Sequence, residues 1–298
     1  MATIVKLPFR TFDVENFIDK FQQHKINNVT INPENYLYLA IAKQTTWGTA
    51  GSGGEELKPE LPKDTIDREV RFWTDLIAMQ RVQPHQIVPV IERKNWSNQT
   101  KFVPFDTSKA LHEQGNYYCI NSLFQVFKCY QAHPTNNPSI EPTWQTGKAM
   151  IFPTNDGYQW EYMYQLSPVD IQNLEVQDAW IPIPINNKDS SYGGRDFPMR
   201  HIATRNLMIQ ITVTETSLPI KNADNTPVTY RQIGLVLNPI AAGSDAKLTA
   251  TTLMPTDLKK ITATNYTDLE SRLIYLENRT VVTRQSGQSE RPSIVVAM

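Results

Sequence analysis

Residues 158–166 read Tyr-Gln-Trp-Glu-Tyr-Met-Tyr-Gln-Leu and follow directly on the dipeptide Asp156-Gly157. Aromatic or apolar residues occupy every second position, and this period of two is typical of a β-strand with one buried face. Asp-Gly before such a run predicts a tight turn. This is the clearest secondary-structure signal in the chain, and it lies in a long region whose pattern favours strands.

The aromatic row of this strand has two interpretations. Exposed rings in a row can stack against sugars, whereas buried rings in a row form the inner face of a sheet. Because Leu166 continues the same face with an aliphatic side chain, the core interpretation is favoured. We therefore expect one shared buried face, made of Tyr158, Trp160, Tyr162, Tyr164 and Leu166.

Similar but shorter signals predict strands along much of the chain. The predicted strands are 36–42, 87–91, 117–120, 123–130, 149–152, 158–166, 179–185, 207–214, 229–237, 272–276, 279–284 and 293–297. Strands 279–284 and 293–297 are separated by a short polar stretch, which predicts a terminal hairpin. Strand 179–185 contains Pro182 and Pro184, which restrict it to a sheet edge or an extended connector. Two stretches are predicted to be loops, 48–62 and 186–198.

One helix is predicted near the start of the chain, over residues 12–25. Thr11 is its predicted N-cap. His24 falls in its last turn, where a cation suits the helix dipole. The apolar stripe at helical spacing is Val14, Phe17, Ile18 and Phe21.

A second helix is predicted over residues 65–81, with Asp64 or Thr65 as its cap and Pro84 beyond its end. A single helical turn is predicted at 267–270, which has the spacing of a capping box. The apolar face of the second helix is Ile66, Val70, Trp73 and Ile77.

Composition excludes several classes of partner. The chain of 298 residues carries 29 Lys and Arg against 30 Asp and Glu, a formal net charge of -1. Such a balance gives no field that would attract nucleic acid or an anionic membrane. No apolar stretch approaches the roughly 18 residues that span a bilayer, and the start of the chain lacks the features of a signal peptide. We expect a soluble protein made in a cytoplasm, with Cys119 and Cys129 as free thiols, although a disulfide between them is possible.

No residue pattern in the sequence predicts a catalytic, cofactor or metal site. The five histidines lie too far apart for a local zinc motif. Residues 146–148 end like a phosphate loop but lack its earlier glycine, and the glycines of 48–54 are not followed by a helix. Asp64 and Asp67 suit the first turn of a helix. Glu161 could act as a general acid if buried, but a cross-strand partner is favoured.

Five stretches, in order, resemble one known family. They are Phe9-Arg10-Thr11, the run from Val88 to Trp96, Asp156-Gly157-Tyr158-Gln159-Trp160-Glu161-Tyr162, the run from Tyr230 to Pro239, and Ile274-Tyr275-Leu276-Glu277-Asn278-Arg279. Together they are similar to the dimeric baseplate wedge subunits of T-even-type contractile-tailed phages. The resemblance covers effectively the whole chain, which is shorter than the family mainly between about 97 and 200.

The resemblance implies an α+β fold of two domains. Each would be a β-sandwich with packed helices, and the second would be inserted into a loop of the first. The matching expectation for this chain is a discontinuous domain of residues 1–87 and 199–298, with 88–198 inserted. Strands 207–214 and 229–237 are long and one-sided, so they need the two predicted helices to cover them.

The resemblance also implies a structural protein and not an enzyme, without cofactor or metal. Its expected partners are other baseplate wedge proteins and a second copy of itself, in a homodimer. Its expected location is the tail baseplate of the virion, after assembly in the host cytoplasm. Two other classes stay open: a carbohydrate- or host-receptor-binding module that uses Tyr158 and Trp160, and an enzyme whose catalytic residues are scattered along the chain.

Overall fold

The structure is a computed structural model that divides the chain into two compact units. Unit 1 contains residues 1–15, 88–208 and 295–298, and unit 2 contains residues 16–87 and 209–294. The residues described are 14, 16–18, 20–21, 24–26, 29–31, 33–47, 59–106, 108–109, 114–168, 171, 179–183, 204, 206–262, 264–265 and 271–297. None of the helices found among them is long and apolar enough to cross a membrane.

Strands form most of the regular structure, in several antiparallel sheets. This bears out the β part of the predicted fold class. The finer plan, two sandwich domains with one inserted into the other and divided at 87/88 and 198/199, stays a prediction.

Unit 1 is built on two four-stranded sheets. The first has the order β6-β7-β9-β8 and is antiparallel throughout. Its strands are β6 (Tyr118–Ile120), β7 (Gln125–Gln131), β8 (Ile151–Pro153) and β9 (Gln159–Gln165). Strands 117–120, 123–130, 149–152 and 158–166 were expected here, and the first two form the expected hairpin. The turn before β9 has Gly157 at φ +84°, a conformation that glycine adopts without steric cost.

The second sheet of unit 1 has the order β10-β5-β11-β15. Its strands are β5 (Ile87–Glu92), β10 (Trp180–Pro182), β11 (Asn206–Gln210) and β15 (Ser293–Ala297). Strand β10 lies at an edge, as its prolines predicted, and pairs antiparallel with β5. The chain passes from one unit to the other within β5, β11 and β15.

Unit 2 contains a five-stranded sheet of order β13-β4-β3-β12-β14. Its strands are β3 (Leu37–Ala42), β4 (Leu76–Arg81), β12 (Thr229–Leu237), β13 (Thr252–Leu253) and β14 (Arg272–Thr283). A two-stranded hairpin, β1 (His24–Ile26) with β2 (Val29–Ile31), precedes it. Short 3-10 helices cover Pro84–Gln86 and Pro255–Asp257.

The helix predicted over 65–81 is wrong in its second half. Helix α1 spans only Ile66–Thr74, and its cap is Thr65, whose side chain accepts a hydrogen bond from the backbone of Arg68. The residues after Asp75 form β4, which lies between β3 and β13. A strand covered on both faces is apolar at consecutive positions, and such a run cannot be separated from a buried helix by its periodicity.

The face of α1 also differs from the expectation. Phe72 is the fully buried residue of this helix, whereas Ile66 is 49% exposed and Ile77 belongs to β4. Phe72 packs with Tyr38 and Val236 in a core cluster of unit 2. The predicted face residue Trp73 is partly buried and packs against the same cluster.

The helix predicted over 12–25 is too long. Residue 14 and residues 16–18 are helical, but His24 lies in β1 and not in a last helical turn. Ile18 and Phe21 are buried, and the rings of Phe17 and Phe21 are 4.8 Å apart. The predicted apolar stripe therefore includes buried residues although the helix ends before Lys20, which lies in a turn.

The predicted terminal hairpin is also wrong. Strand β14 runs unbroken for 12 residues and pairs with β12, whereas β15 lies beside β11 in another sheet. The polar stretch between β14 and β15 therefore connects two sheets. The predicted cap Thr11, the loop 186–198, most of the loop 48–62 and the turn 267–270 lie outside the described residues.

Candidate functional site

Tyr158, just before β9, and Trp160 and Tyr162 of β9 belong to one core cluster of unit 1. Tyr158 and Trp160 are 0% exposed and Tyr162 is 3% exposed. The rings of Tyr158 and Trp160 stack with centroids 5.8 Å apart and an angle of 17° between their planes. Rings with no accessible face cannot stack against a ligand. The core interpretation is confirmed for these three residues.

Tyr164 does not share their face. In the pairing of β7 with β9, Tyr162 is opposite Phe127 but Tyr164 is opposite Val126, so Met163 is an extra residue on β9. A bulge of one residue reverses the alternation of side chains, because neighbouring residues on β7 point to opposite faces. Tyr164 is therefore buried on the other side of the sheet, and the predicted single row ends at Tyr162.

The two cysteines lie in the same aromatic core. Both are free, as predicted, and both are buried. Burial raises the pKa of Cys129 to about 12 and that of Cys119 well above its ordinary value. Because the thiolate is the reactive form, these thiols are inert at neutral pH.

Glu161 has the cross-strand position that the sequence favoured. It pairs with Lys128 on β7 and with Ile151 on β8, and its side chain is half-buried. Opposite charges at facing positions favour the pairing of adjacent strands, although the Lys128 ammonium lies over the ring of Phe105, 5.6 Å from its centroid. This arrangement supports the structural role and gives no support to a general acid.

Within the part of the chain that the structure describes, the residues considered as metal or phosphate ligands form no cluster that could hold a metal ion. Among the described residues, no group of three or more His, Cys, Asp and Glu side chains could hold a metal ion. Asp67 forms an ion pair with Arg71, 3.0 Å away and one turn further along α1. Residues 145–149 form an exposed loop in which Gly147 has φ +87°. His112, His201 and the glycine-rich residues 48–54 lie outside the described chain.

A rigid polar cluster forms the tip of the β6–β7 hairpin. The buried side chain of Asn121 accepts hydrogen bonds from the backbone N–H of Leu123 and of Gln125, and it donates to the carbonyl of Pro142. Glu141 accepts from the backbone and the hydroxyl of Ser122. These bonds fix a tip on which Leu123 is 54% exposed.

A second polar cluster holds the connection between β14 and β15 in unit 2. The Arg284 side chain is only 1% exposed; its Nε lies 3.5 Å from Glu290 Oε1, and it also donates to the carbonyl of Thr214. The Tyr230 hydroxyl donates to the other oxygen of Glu290. Burial, and then the Glu290 carboxylate, raise the pKa of Tyr230 above its usual range.

The sequence did not reveal either polar cluster. Charged residues that flank a run such as Gln-Ser-Gly-Gln-Ser suggest a solvated loop, and only the fold places Arg284 in the interior. For the second cluster the sequence contains one weak sign, an Arg and a Glu separated by five small or polar residues. The Asn121 cluster uses its hydrogen bonds within the chain, whereas in the second cluster Nε and Nη1 of the buried Arg284 have, among the described residues, no hydrogen-bond partner beyond the ion pair with Glu290.

Comparison with known proteins gives one informative match. No family model matches this chain. One curated relative aligns with 98% of this chain and 96% of its own length, at 20% identity over 346 aligned positions. The chain is similar to a baseplate wedge protein. That relative is the baseplate wedge protein gp8 of Enterobacteria phage T4.

The match agrees with the family resemblance of the five sequence stretches. It extends over nearly the full length of both chains, so it is not the sharing of a single module. This nearly full-length similarity to a baseplate wedge protein favours a structural role.

Proposed function

We propose that this protein is a structural component of the baseplate wedge in a contractile phage tail. It acts by association and bridges neighbouring wedge proteins through its surface, without catalysis, cofactor or metal. It also associates with a second copy of itself. Its place is the tail baseplate of the virion, which it joins during assembly in the host cytoplasm.

The observation that carries this proposal is the alignment of nearly the whole chain with a baseplate wedge protein. Surface chemistry supports it. With a formal net charge of -1, copies of the chain approach one another without long-range repulsion. Assembly interfaces of roughly 1,200–2,000 Å² need complementary shape and satisfied hydrogen bonds, and no reactive group.

The two domains proposed for this role are the discontinuous one, 1–87 with 199–298, and the inserted one, 88–198. Strand β12 supports this division, because it lies between β3 and β14, whose residues are far apart in sequence. Strand β12, from the later part of the chain, therefore depends for its pairing on β3, from the earlier part.

The structure gives no support to the alternative of a carbohydrate-binding module. It required exposed rings at Tyr158 and Trp160, and both rings are fully buried. The alternative of an enzyme with scattered catalytic residues has no supporting cluster among the described side chains.

Deletion of the gene tests the proposal most directly. We expect particles without functional tails, and we expect tail assembly to return when the gene is supplied from a plasmid. Native mass spectrometry of the purified protein, alone and mixed with other tail proteins of the same genome, should show a homodimer and a heteromeric complex. Infectious virions that lack the protein would refute the proposal.

A further inference from the structure

One irregular segment of unit 1, residues 133–140, is held by two titratable side chains. We call this segment, His-Pro-Thr-Asn-Asn-Pro-Ser-Ile, the strap. Beyond His133 it contains five backbone N–H groups, because Pro134 and Pro138 have none. Four of the five are donated to His133 or to Asp156. The strap therefore lacks the backbone ladder that holds a strand or helix.

The imidazole of His133 holds the first half of the strap. Its Nδ1 accepts hydrogen bonds from the backbone N–H of Thr135 at 3.2 Å and of Asn136 at 3.0 Å. A ring nitrogen can accept only while it carries no proton, so these two hydrogen bonds require Nδ1 without a hydrogen. Protonation of Nδ1 would place an N–H group against two N–H donors and break both bonds.

The carboxylate of Asp156 holds the second half. One of its oxygens accepts from the backbone N–H of Ser139 at 2.8 Å and of Ile140 at 3.0 Å. Burial alone would raise the pKa of Asp156, but hydrogen bonds from Thr154 and from these backbone groups outweigh burial and hold the pKa below its usual range. This anchor therefore stays charged in mild acid, where an imidazole gains its proton.

The strap contacts the buried Tyr158, which lies just before β9. The hydroxyl of Tyr158 donates to the carbonyl of Asn136 at 2.7 Å, and the Tyr158 ring stacks on Trp160. The ring of His133 also packs on Gly157, where an added Cβ would lie 2.8 Å from its Cδ2. Movement of the first half of the strap would therefore remove the acceptor of the Tyr158 hydroxyl.

The other groups that contact the strap do not titrate in mild acid. Lys101 donates to the carbonyl of Pro134, and the side chain of Asn137 donates to the carbonyl of Gln99. Lys101 and Asp156 are the charged groups on the segments that hold the strap, and Tyr158 is the phenol. Ammonium and phenol groups keep their protons between about pH 5 and pH 7.5.

From this geometry we infer that the strap is an acid-sensitive cover. The hydrogen bonds to His133 hold the first half of the strap in place, and those to Asp156 hold the second half. Protonation of His133 releases residues 134–137 from the edge of Tyr158. At neutral pH the strap is closed. In mild acid its first half opens while Ser139 and Ile140 stay bound to Asp156.

Hydrogen exchange of residues 134–140, corrected for the intrinsic effect of pH on exchange, tests this inference in the full chain. If one proton is linked to opening, protection of Thr135 and Asn136 should fall by up to about tenfold for each pH unit as the pH is lowered from neutral into mild acid. Protection of Ser139 and Ile140 should stay nearly constant over the same range. Strand β12, in unit 2, serves as the internal reference for global stability.

The matched variant is His133→Asn, because an Asn side chain accepts from the N–H groups two and three residues ahead and does not titrate. It should hold the strap closed at both ends of the pH range. His133→Ala should leave Thr135 and Asn136 weakly protected at every pH. The inference is overturned if the wild-type protection does not vary with pH, or if His133→Asn shows the same dependence as the wild type.

Discussion

Gly234 of β12 lies against the ring of Phe72, the buried residue of α1. A Cβ placed on Gly234 would be 2.5 Å from Cζ of Phe72 and 2.7 Å from Cδ1 of Leu273. Real Cβ atoms do not approach other atoms so closely, so the absence of a side chain at this point is what lets the helix pack on the sheet. A glycine in a strand commonly marks such a close approach.

We predict that Gly234→Ala destabilises the protein by about 1–3 kcal/mol, the usual cost of overpacking a core. Urea unfolding followed by circular dichroism measures the change. The double variant Gly234→Ala with Phe72→Leu should lose less stability than the two single losses added together, because the smaller side chain makes room for the methyl group. If the stability losses of the two single variants simply added in the double variant, the close approach of Gly234 and Phe72 would be contradicted.

Loss of the Glu290 charge should be severe, because its partner Arg284 is buried whereas Glu290 itself is 25% exposed. Glu290→Gln keeps the shape of the side chain but leaves the Arg284 guanidinium buried without its counter-charge, which typically costs about 3–5 kcal/mol. The control is Glu277→Gln, because Glu277 pairs with Arg279 at 2.8 Å in a position where both side chains are about one-third exposed. That pair is screened by solvent, so its loss should cost about 1 kcal/mol or less. Equal losses of stability in Glu290→Gln and Glu277→Gln would show that the Arg284 guanidinium is hydrated.

Truncation of the central aromatic residue tests the core of unit 1. Trp160→Ala should cost about 3–5 kcal/mol, the range for removing a large buried ring. Tyr130, which is 54% exposed on β7, provides the control, and its replacement by Ala should change stability by about 0.5 kcal/mol or less. A Trp160→Ala protein with an unchanged melting temperature and lost binding of a glycan or protein would restore the platform interpretation.

Acid should weaken unit 1 through Asp156. A carboxyl with a folded-state pKa below its ordinary value of 3.8 contributes stability above that value, and this stability is lost as the pH falls through the folded-state pKa. Asp156→Asn should therefore be less stable than the wild type at neutral pH, and the difference should shrink below about pH 4. Thermal unfolding at several pH values measures it. If the stability difference between the wild type and Asp156→Asn stayed constant down to strong acid, the proposed role of the Asp156 carboxylate would be contradicted.

The proposed discontinuous domain predicts that residues 205–298 do not fold alone. This fragment contains β12 and β14 but lacks β3, which pairs with β12 over residues 37–42. We expect an aggregated or unfolded fragment by circular dichroism and proton NMR. Co-expression with residues 1–87 should improve its solubility. A stable, soluble fragment of 205–298 on its own would exclude the proposed arrangement.

The sequence determined the features that depend on neighbouring residues. Alternation located β9 and β12 to within a residue or so, and β12 has the predicted bounds, Thr229–Leu237. Asp156-Gly157 specified a turn because glycine tolerates positive φ, and Thr65 specified the start of α1 because its hydroxyl can bind the backbone N–H three residues ahead. The wedge resemblance also came from the sequence, since it rests on short runs of residues in a fixed order.

The tertiary structure decided the features that depend on distant partners. Residues 76–81 became a strand because β3 and β13 flank them, and β15 joined β11 instead of forming a hairpin with β14. Tyr164 changed face because β7 pairs with β9 through a bulge at Met163. A local pattern records which side chains are apolar, but burial and hydrogen bonds such as those of Arg284 and His133 are set by segments that only the fold brings together.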